Sequence, residues 1–219
     1  MKKAMIGLAA GALLLTACSS GSAKAGDTGS GQPTASASAS ELNDHTDPTY
    51  SGVGLTPPQP RPQFTLTDQA GKTYKFGSET AGKPTLLYFG YTHCPDVCPT
   101  TLADIAQALQ AVPAAVRDKT QVVFVTTDVK RDTPAVLKSY LSQFDAGLPN
   151  PFIGLTGSQT QIDAAQVAAH VALAEDDGQT HAAQVLLYGP DDYARVSFLQ
   201  STDETAQITH DLPKIAGGK

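Results

Sequence analysis

Two kinds of apolar spacing alternate along the chain from about residue 63 onward. Phe64-Thr65-Leu66-Thr67 alternates apolar and polar positions, Asp68-Gln69-Ala70-Gly71 interrupts, and Lys72 to Phe76 resumes the alternation. That pattern predicts a β-hairpin closed by a glycine turn. Leu86-Leu87-Tyr88-Phe89 is apolar without a break, as expected of a strand buried on both faces. Leu102, Ile105, Ala106, Leu109 and Val112 then recur at helical spacing. Val122 to Val125 predicts a second buried strand. Thr133-Pro134 supplies a capping residue followed by proline, and Val136, Leu137, Tyr140, Leu141 and Phe144 share one face behind it. A weaker helical pattern covers Ser158 to Ala169. Val185–Tyr188 and Arg195–Leu199 flank Gly189-Pro190-Asp191-Asp192 and predict a final hairpin, with a helix after it. A β-α-β unit followed by a hairpin and a terminal helix predicts an α/β domain of three layers around a central mixed sheet.

The N-terminal part has a different pattern. Lys2 and Lys3 precede an apolar run from Ala4 to Leu15, too short for a spanning helix and of the form of a secretory signal. It closes on Leu15-Thr16-Ala17-Cys18, which resembles a bacterial lipoprotein signal: residues 1–17 removed, Cys18 lipidated as the new N-terminus. Several acyl chains would then hold the protein firmly on the outer face of the cell membrane. From Cys18 to Pro62, Gly, Ser, Ala, Pro and Thr supply 30 of 45 residues, too few large apolar groups to offset the entropy of ordering. Residues 18–48 therefore read as a flexible tether spanning roughly 30 Å. Tyr50 to Pro62, rich in proline, reads as an extended arm lying against a domain that covers 49–219.

Composition narrows the function. The 219 residues carry 15 Lys and Arg against 21 Asp and Glu, a net charge of −6, the wrong sign for a nucleic-acid binder. Loss of Lys2 and Lys3 with the signal would leave −8. An uninterrupted apolar span of membrane length is absent from the sequence, which excludes a polytopic membrane protein. Three cysteines are too few for a disulfide scaffold.

The candidate chemistry sits between the strand ending at Gly90 and the helix starting near Pro99, in Tyr91-Thr92-His93-Cys94-Pro95-Asp96-Val97-Cys98-Pro99. Two cysteines four apart on a turn entering a helix can present both sulfurs on one side. The free N–H groups and positive dipole end of that helix favour thiolate, the form that attacks disulfides or binds metal.

The stretch Phe89-Gly90-Tyr91-Thr92-His93-Cys94-Pro95-Asp96-Val97-Cys98-Pro99-Thr100-Thr101-Leu102 closely resembles the signature of the Sco/SenC family. The likeness runs over roughly residues 50–215. It takes in Phe64–Asp68 with Gly71-Lys72, Asp128 through Arg131-Asp132-Thr133-Pro134, and His181 before the last hairpin. Val129 departs from the usual proline, and Gly189 from the usual acidic residue of the hairpin turn. The resemblance implies a thioredoxin-like fold and a copper chaperone serving the dinuclear copper site of cytochrome c oxidase. It implies Cys94, Cys98 and His181 as the copper ligands, a Cys94–Cys98 disulfide in the oxidised form, and Asp128 as the acidic residue near the site. The implied partners are the copper-bearing oxidase subunit, a copper donor and a thiol reductase that keeps the pair reduced. Two thiolates and an imidazole suit Cu(I) in three-coordinate geometry and can hold Cu(II) with added ligands, whereas a closed zinc site would want a fourth protein ligand.

Other readings stay open on the residues alone. The cysteine pair could be a structural disulfide, although so short a ring removes little loop entropy. It could serve thiol–disulfide exchange, reducing the cysteines of a copper acceptor with Cys94 as the attacking thiolate. A peroxidase of the thioredoxin-like class is weaker, since no arginine stands obviously ready to activate peroxide. His93 reads as an outer residue of the site, His45 as part of the tether, and His170 and His210 as helix-surface residues. Asp128 reads either as a tuning hydrogen-bond partner or as an exposed loop carboxylate. Glu175-Asp176-Asp177 reads as a solvated acidic loop.

Overall fold

The structure, a computed structural model, describes residues 49–217. The expected signal, tether and Cys18 lie outside the described residues, as does His45. Among the described residues no helix is long and apolar enough to cross a membrane.

Eight strands form one sheet: β1 (Val53–Pro60), β2 (Thr65–Asp68), β3 (Thr73–Lys75), β4 (Thr85–Gly90), β5 (Gln121–Thr126), β6 (Ile153–Thr156), β7 (Gln184–Tyr188) and β8 (Tyr193–Leu199), in the order β1-β8-β7-β4-β5-β6-β2-β3. β4 pairs parallel with β5, and β5 with β6, while every other pairing is antiparallel. The sheet is therefore mixed. The helices are α1 (Phe76–Glu79), α2 (Val97–Ala111), α3 (Ala114–Arg117), α4 (Pro134–Leu141), α5 (Gln159–Ala168) and α6 (Glu204–Ala216).

Alternation along the central strands decides the layers. Leu86 and Tyr88 of β4 and Val122 and Phe124 of β5 face one side, where they meet Leu102 and Ile105 of α2, Leu137 of α4 and Leu212 of α6. Leu87, Phe89, Val123 and Val125 face the other side and pack with Leu66, Phe76 and Ile162 of α5. Each face needs its own cover, hence the unbroken apolar runs. The expected helix over 158–169 is present, opened by a capping box in which Ser158 and Gln161 hydrogen-bond reciprocally.

Two expectations change. The arm expected over Tyr50 to Pro62 does lie extended against the domain, but as more than a loose arm, since its Val53–Pro60 part is an edge strand: Val53 and Gly54 pair with Ser197 and Val196, and Gln59 and Pro60 with Ala194 and Tyr193, with an irregularity between. Its prolines are tolerated because an edge strand has one side without a ladder to donate to. β6 is a strand where the sequence predicts none. Gly154 lies so close beneath α4 that a Cβ there would stand 2.8 Å from a Leu141 methyl carbon.

A buried acid links α2 to α6. Glu204, fully buried, accepts from Thr101 Oγ1 at 3.4 Å through Oε2, and Oε1 has no partner among the described residues. Burial, reinforced by the negative charge of Asp104 and only partly offset by Thr101, raises its pKa to about 7. The folded carboxyl thus holds its proton more tightly than the unfolded one. The stability this group contributes is full below about pH 4.5 and is lost as pH rises through about 7, by about 3 kcal/mol. Urea midpoints of the native protein are expected to fall between pH 5 and pH 8, and Glu204→Gln to remove most of that fall. An equal fall in the variant would assign the effect to other groups.

Candidate metal centre

β4 delivers the cysteine turn. Its last residue, Gly90, leads into Tyr91, whose carbonyl accepts the Cys94 N–H at 3.3 Å and closes the turn. Cys98 lies in the first turn of α2 and is fully buried, while Cys94 is half-buried. Both are free thiols. The Cys98 backbone N–H donates to Cys94 Sγ at 3.3 Å, as the open end of a helix allows. Gly90 is required at its position, because a Cβ would meet Cys98 Sγ at 2.9 Å and the Phe124 ring at 2.9 Å.

The loop before β7 delivers the imidazole. His181 Nε2 lies 3.5 Å from Cys98 Sγ, and its Nδ1 lies 3.2 Å from the Ala182 carbonyl. A carbonyl can only accept, so Nδ1 carries the proton and Nε2 presents its lone pair to the sulfur. Burial lowers the His181 pKa, which keeps the ring neutral. Tyr91 and Tyr88 stand edge-on to the ring, with centroids 5.7 and 6.3 Å away.

The two sulfurs differ. Burial pushes the Cys98 thiol up to about 12, against the hydrogen bond from Tyr88 Oη, 3.4 Å from its sulfur. For Cys94 burial also opposes ionisation, yet the backbone N–H groups of Cys98 and Asp96, with Cys98 and Tyr91 side chains, outweigh it and lower the pKa. An open cleft of about 350 Å³ lies between Cys94 and His181, with Tyr91 also in its wall.

Cys98 thus touches both other members, Cys94 through its backbone N–H and His181 through its sulfur. No three His, Cys, Asp or Glu side chains among the described residues gather tightly enough to form a ready metal cage. The donor chemistry nevertheless fits a soft cation: two sulfurs and a neutral imidazole, at the mouth of a cleft.

Outer residues complete the picture. Asp132, fully buried, accepts from Thr92 N–H at 2.9 Å, Thr92 Oγ1 at 2.5 Å and Thr126 Oγ1 at 2.6 Å, and so fixes the turn just before Cys94. His93 is half-exposed, 3.0 Å from Thr92 Oγ1 and 3.5 Å from Asp132, consistent with an outer position.

A family model described as SCO1/SenC matches residues 55–217. The chain belongs to the SCO1/SenC family. The Protein SenC of Rhodobacter capsulatus is 40% identical over 114 residues, covering 52% of this chain and 49% of that one. The copper-bound ScoI structure of Bradyrhizobium japonicum is 37% identical, with a TM-score of 0.58, covering 71% of this chain and 98% of that one. The apo Sco1 structure of Thermus thermophilus is 29% identical with a TM-score of 0.64, covering 75% and 96%. The chain spans about half the length of the curated relatives it matches. These likenesses establish the fold as thioredoxin-like around its mixed sheet.

Against the other expectations for this SCO1/SenC chain the structure is specific. Asp128 is no exposed loop carboxylate: it is buried and paired with Arg131, whose N–H also donates to it at 3.3 Å. His170 sits two residues past the end of α5 in a left-handed conformation, not on the helix surface. His210 is on α6, but its ring is engaged, 2.8 Å from Ser51 Oγ and 2.6 Å from Asp211. The acidic run forms a turn, Asp176–Gly178, with Asp177 paired to Lys130 at 2.7 Å. Sequence reasoning passed over Tyr88 and Thr127. Tyr88 lay in the apolar run of β4, where a hydroxyl facing a sulfur leaves no signal.

Proposed function

We propose that the chain is an extracytoplasmic copper-binding protein of cytochrome c oxidase assembly, holding its cargo through Cys94, Cys98 and His181. The observation that carries this reading is the lone pair of His181 Nε2 aimed at Cys98 Sγ at 3.5 Å, with Cys94 Sγ held 3.3 Å from the Cys98 backbone N–H at the same helix start. The Bradyrhizobium japonicum relative, of the same family and fold, holds copper. An incomplete shell of soft ligands at an open cleft suits delivery, because a ligand from the copper-bearing oxidase subunit can enter before the donor's ligands leave. Cu(I) is the form that two thiolates and one imidazole favour, and Cu(II) would need added ligands. Lipidation of Cys18 after removal of residues 1–17 would hold the domain at the outer face of the membrane, with residues 18–48 as its tether and 49–219 as the functional domain. A copper donor and a thiol reductase are the further partners this implies, since an oxidised Cys94–Cys98 pair cannot ligate copper in this way.

The test is Cu(I) affinity of the reduced protein against a chromophoric chelator, with His181→Ala beside it. One tightly held Cu(I), weakened about tenfold or more in the variant, is the expected result. Absence of competitive binding, or binding indifferent to His181, would overturn it.

The contrast between the two sulfurs favours a second reading, thiol–disulfide exchange on the acceptor. Cys94, accessible and biased toward thiolate, would attack an acceptor disulfide and release one acceptor thiolate. Cys98 would then close on Cys94 and release the other, so that two electrons and two protons pass to the acceptor. In this reading His181→Ala leaves the exchange rate unchanged.

A further inference from the structure

We infer that Thr127 is the positioning residue that fixes the gap between the cysteine turn and the histidine loop, an inference that rests on the copper reading above. Thr127 directly follows β5 and is fully buried. It holds both halves of the site at once. Its backbone N–H donates to the Gly90 carbonyl at 2.7 Å, and its hydroxyl donates to the Gly178 carbonyl at 2.6 Å. Gly90 lies directly beneath Cys98 Sγ, as its lack of room for a Cβ shows. Gly178 belongs to the turn that carries the chain to His181, and it presses flat on the same residue: a Cβ there would stand 1.9 Å from the Thr127 carbonyl oxygen.

The path from sulfur to imidazole is therefore Cys98, Gly90, Thr127, Gly178, then two residues to His181. The loop is closed on itself by Glu175 and Thr180, whose backbones exchange hydrogen bonds at 2.7 and 3.2 Å, so that docking Gly178 docks the whole turn. The Lys130–Asp177 pair adds a contact, but both side chains are exposed and such pairs hold weakly. Thr126, the preceding residue, donates instead to Asp132, which holds Thr92 and the approach to Cys94. Consecutive threonines at the end of one central strand thus grip the loops of both ligand sets. A central strand is the stiffest available post, which is where a site needing a fixed sulfur-to-nitrogen gap gains from being anchored.

The experiment uses Thr127→Val, which keeps shape and the backbone bond but removes the hydroxyl donor, and Thr127→Ser, which keeps the donor. In the metal-free reduced protein, amide hydrogen exchange across residues 176–183 is expected to quicken roughly tenfold in Thr127→Val and to stay unchanged in Thr127→Ser. Cu(I) affinity is expected to fall roughly tenfold in Thr127→Val, with His181→Ala adding little in that background. Gly178→Ala, which lifts the loop from its own side, is expected to reproduce the valine variant and guards against a folding defect in β5. Unchanged exchange in both Thr127→Val and Gly178→Ala would overturn the inference. So would a His181→Ala effect of the same size in both backgrounds. If His181→Ala costs nothing even in the unsubstituted protein, the copper reading fails, and the exchange data alone then show whether Thr127 anchors the loop.

Discussion

Cys98→Ser is expected to weaken Cu(I) binding at least about a hundredfold, because outer partners of a metal site already carry roughly 10–100-fold and Cys98 would be a direct ligand. Serine is nearly the same size but offers a hard, un-ionised oxygen to a soft cation. The substitution also replaces the sulfur that meets His181 Nε2, while the Cys98 backbone N–H to Cys94 Sγ remains. Cys94→Ser is expected to match it, since two-coordinate binding by one sulfur and one nitrogen discards the dithiolate. Chelator competition on the reduced variants measures both, with circular dichroism to show that the fold is intact. Either variant binding as tightly as the unsubstituted protein would sink the ligand assignment. Because Cys98 is buried beneath Tyr88, a loss confined to Cys98→Ser with folding disturbed would point to packing instead.

Arg61→Ala is expected to cost about 3 kcal/mol of stability, the range for removing one partner from a buried charged network. Arg61 is 5% exposed and follows β1 directly. Its guanidinium donates to Asp192 at 2.7 Å and, each at 2.9 Å, to Thr80 Oγ1, the Lys83 carbonyl and the Gly189 carbonyl. It also lies over the rings of Phe76 and Tyr188, at 5.9 and 5.1 Å. One side chain thereby joins the edge strand, the loop before β4 and the last hairpin turn. Most of the expected loss comes from the buried guanidinium's own packing and hydrogen bonds, because the Gly189 and Lys83 carbonyls keep Asp192 N–H and Thr85 Oγ1 as donors and Asp192, about half exposed, can turn to water. Arg61→Lys is expected to recover only part of it, since an ammonium cannot span four acceptors in a plane. Urea unfolding measures both, and an Arg61→Ala variant within about 0.5 kcal/mol of the unsubstituted protein would refute the clamp.

How much of this was legible in the sequence differs from element to element. β4 and β5 could be read because both faces are buried, which leaves an uninterrupted apolar run. Ser158 and Gln161 announce α5 even though its apolar face is weak. β6 is silent, since Ile153–Thr156 is short and its glycine, which suggests a loop, is there to let α4 approach. The arm's prolines argue against a strand unless it is known to lie at an edge. Within the site, the cysteines and their turn were legible from spacing. His181, 83 positions beyond Cys98, was accessible only through the family resemblance. Asp128 shows the limit from another direction: a loop carboxylate beside Arg131 reads as solvated, yet Asp128 folds inward and is buried beneath an Arg131 that stays exposed. Thr127 leaves no mark, because a hydroxyl meeting a carbonyl 51 residues away has no local pattern.

The strand order has a consequence for the birth of the protein. β7 and β8, synthesised after the other six strands, occupy the sheet between β1 and β4. β1, the earliest of the strands to emerge from the ribosome, has no neighbour until β8 exists, and one edge of β4 stays bare until β7 arrives. Pairings so distant in sequence form slowly, and the sheet cannot close while the chain is still growing. His181 arrives on the same late segment. A partial chain thus carries the two cysteines without the imidazole, and only the finished polypeptide can bring together the three groups that make the pocket.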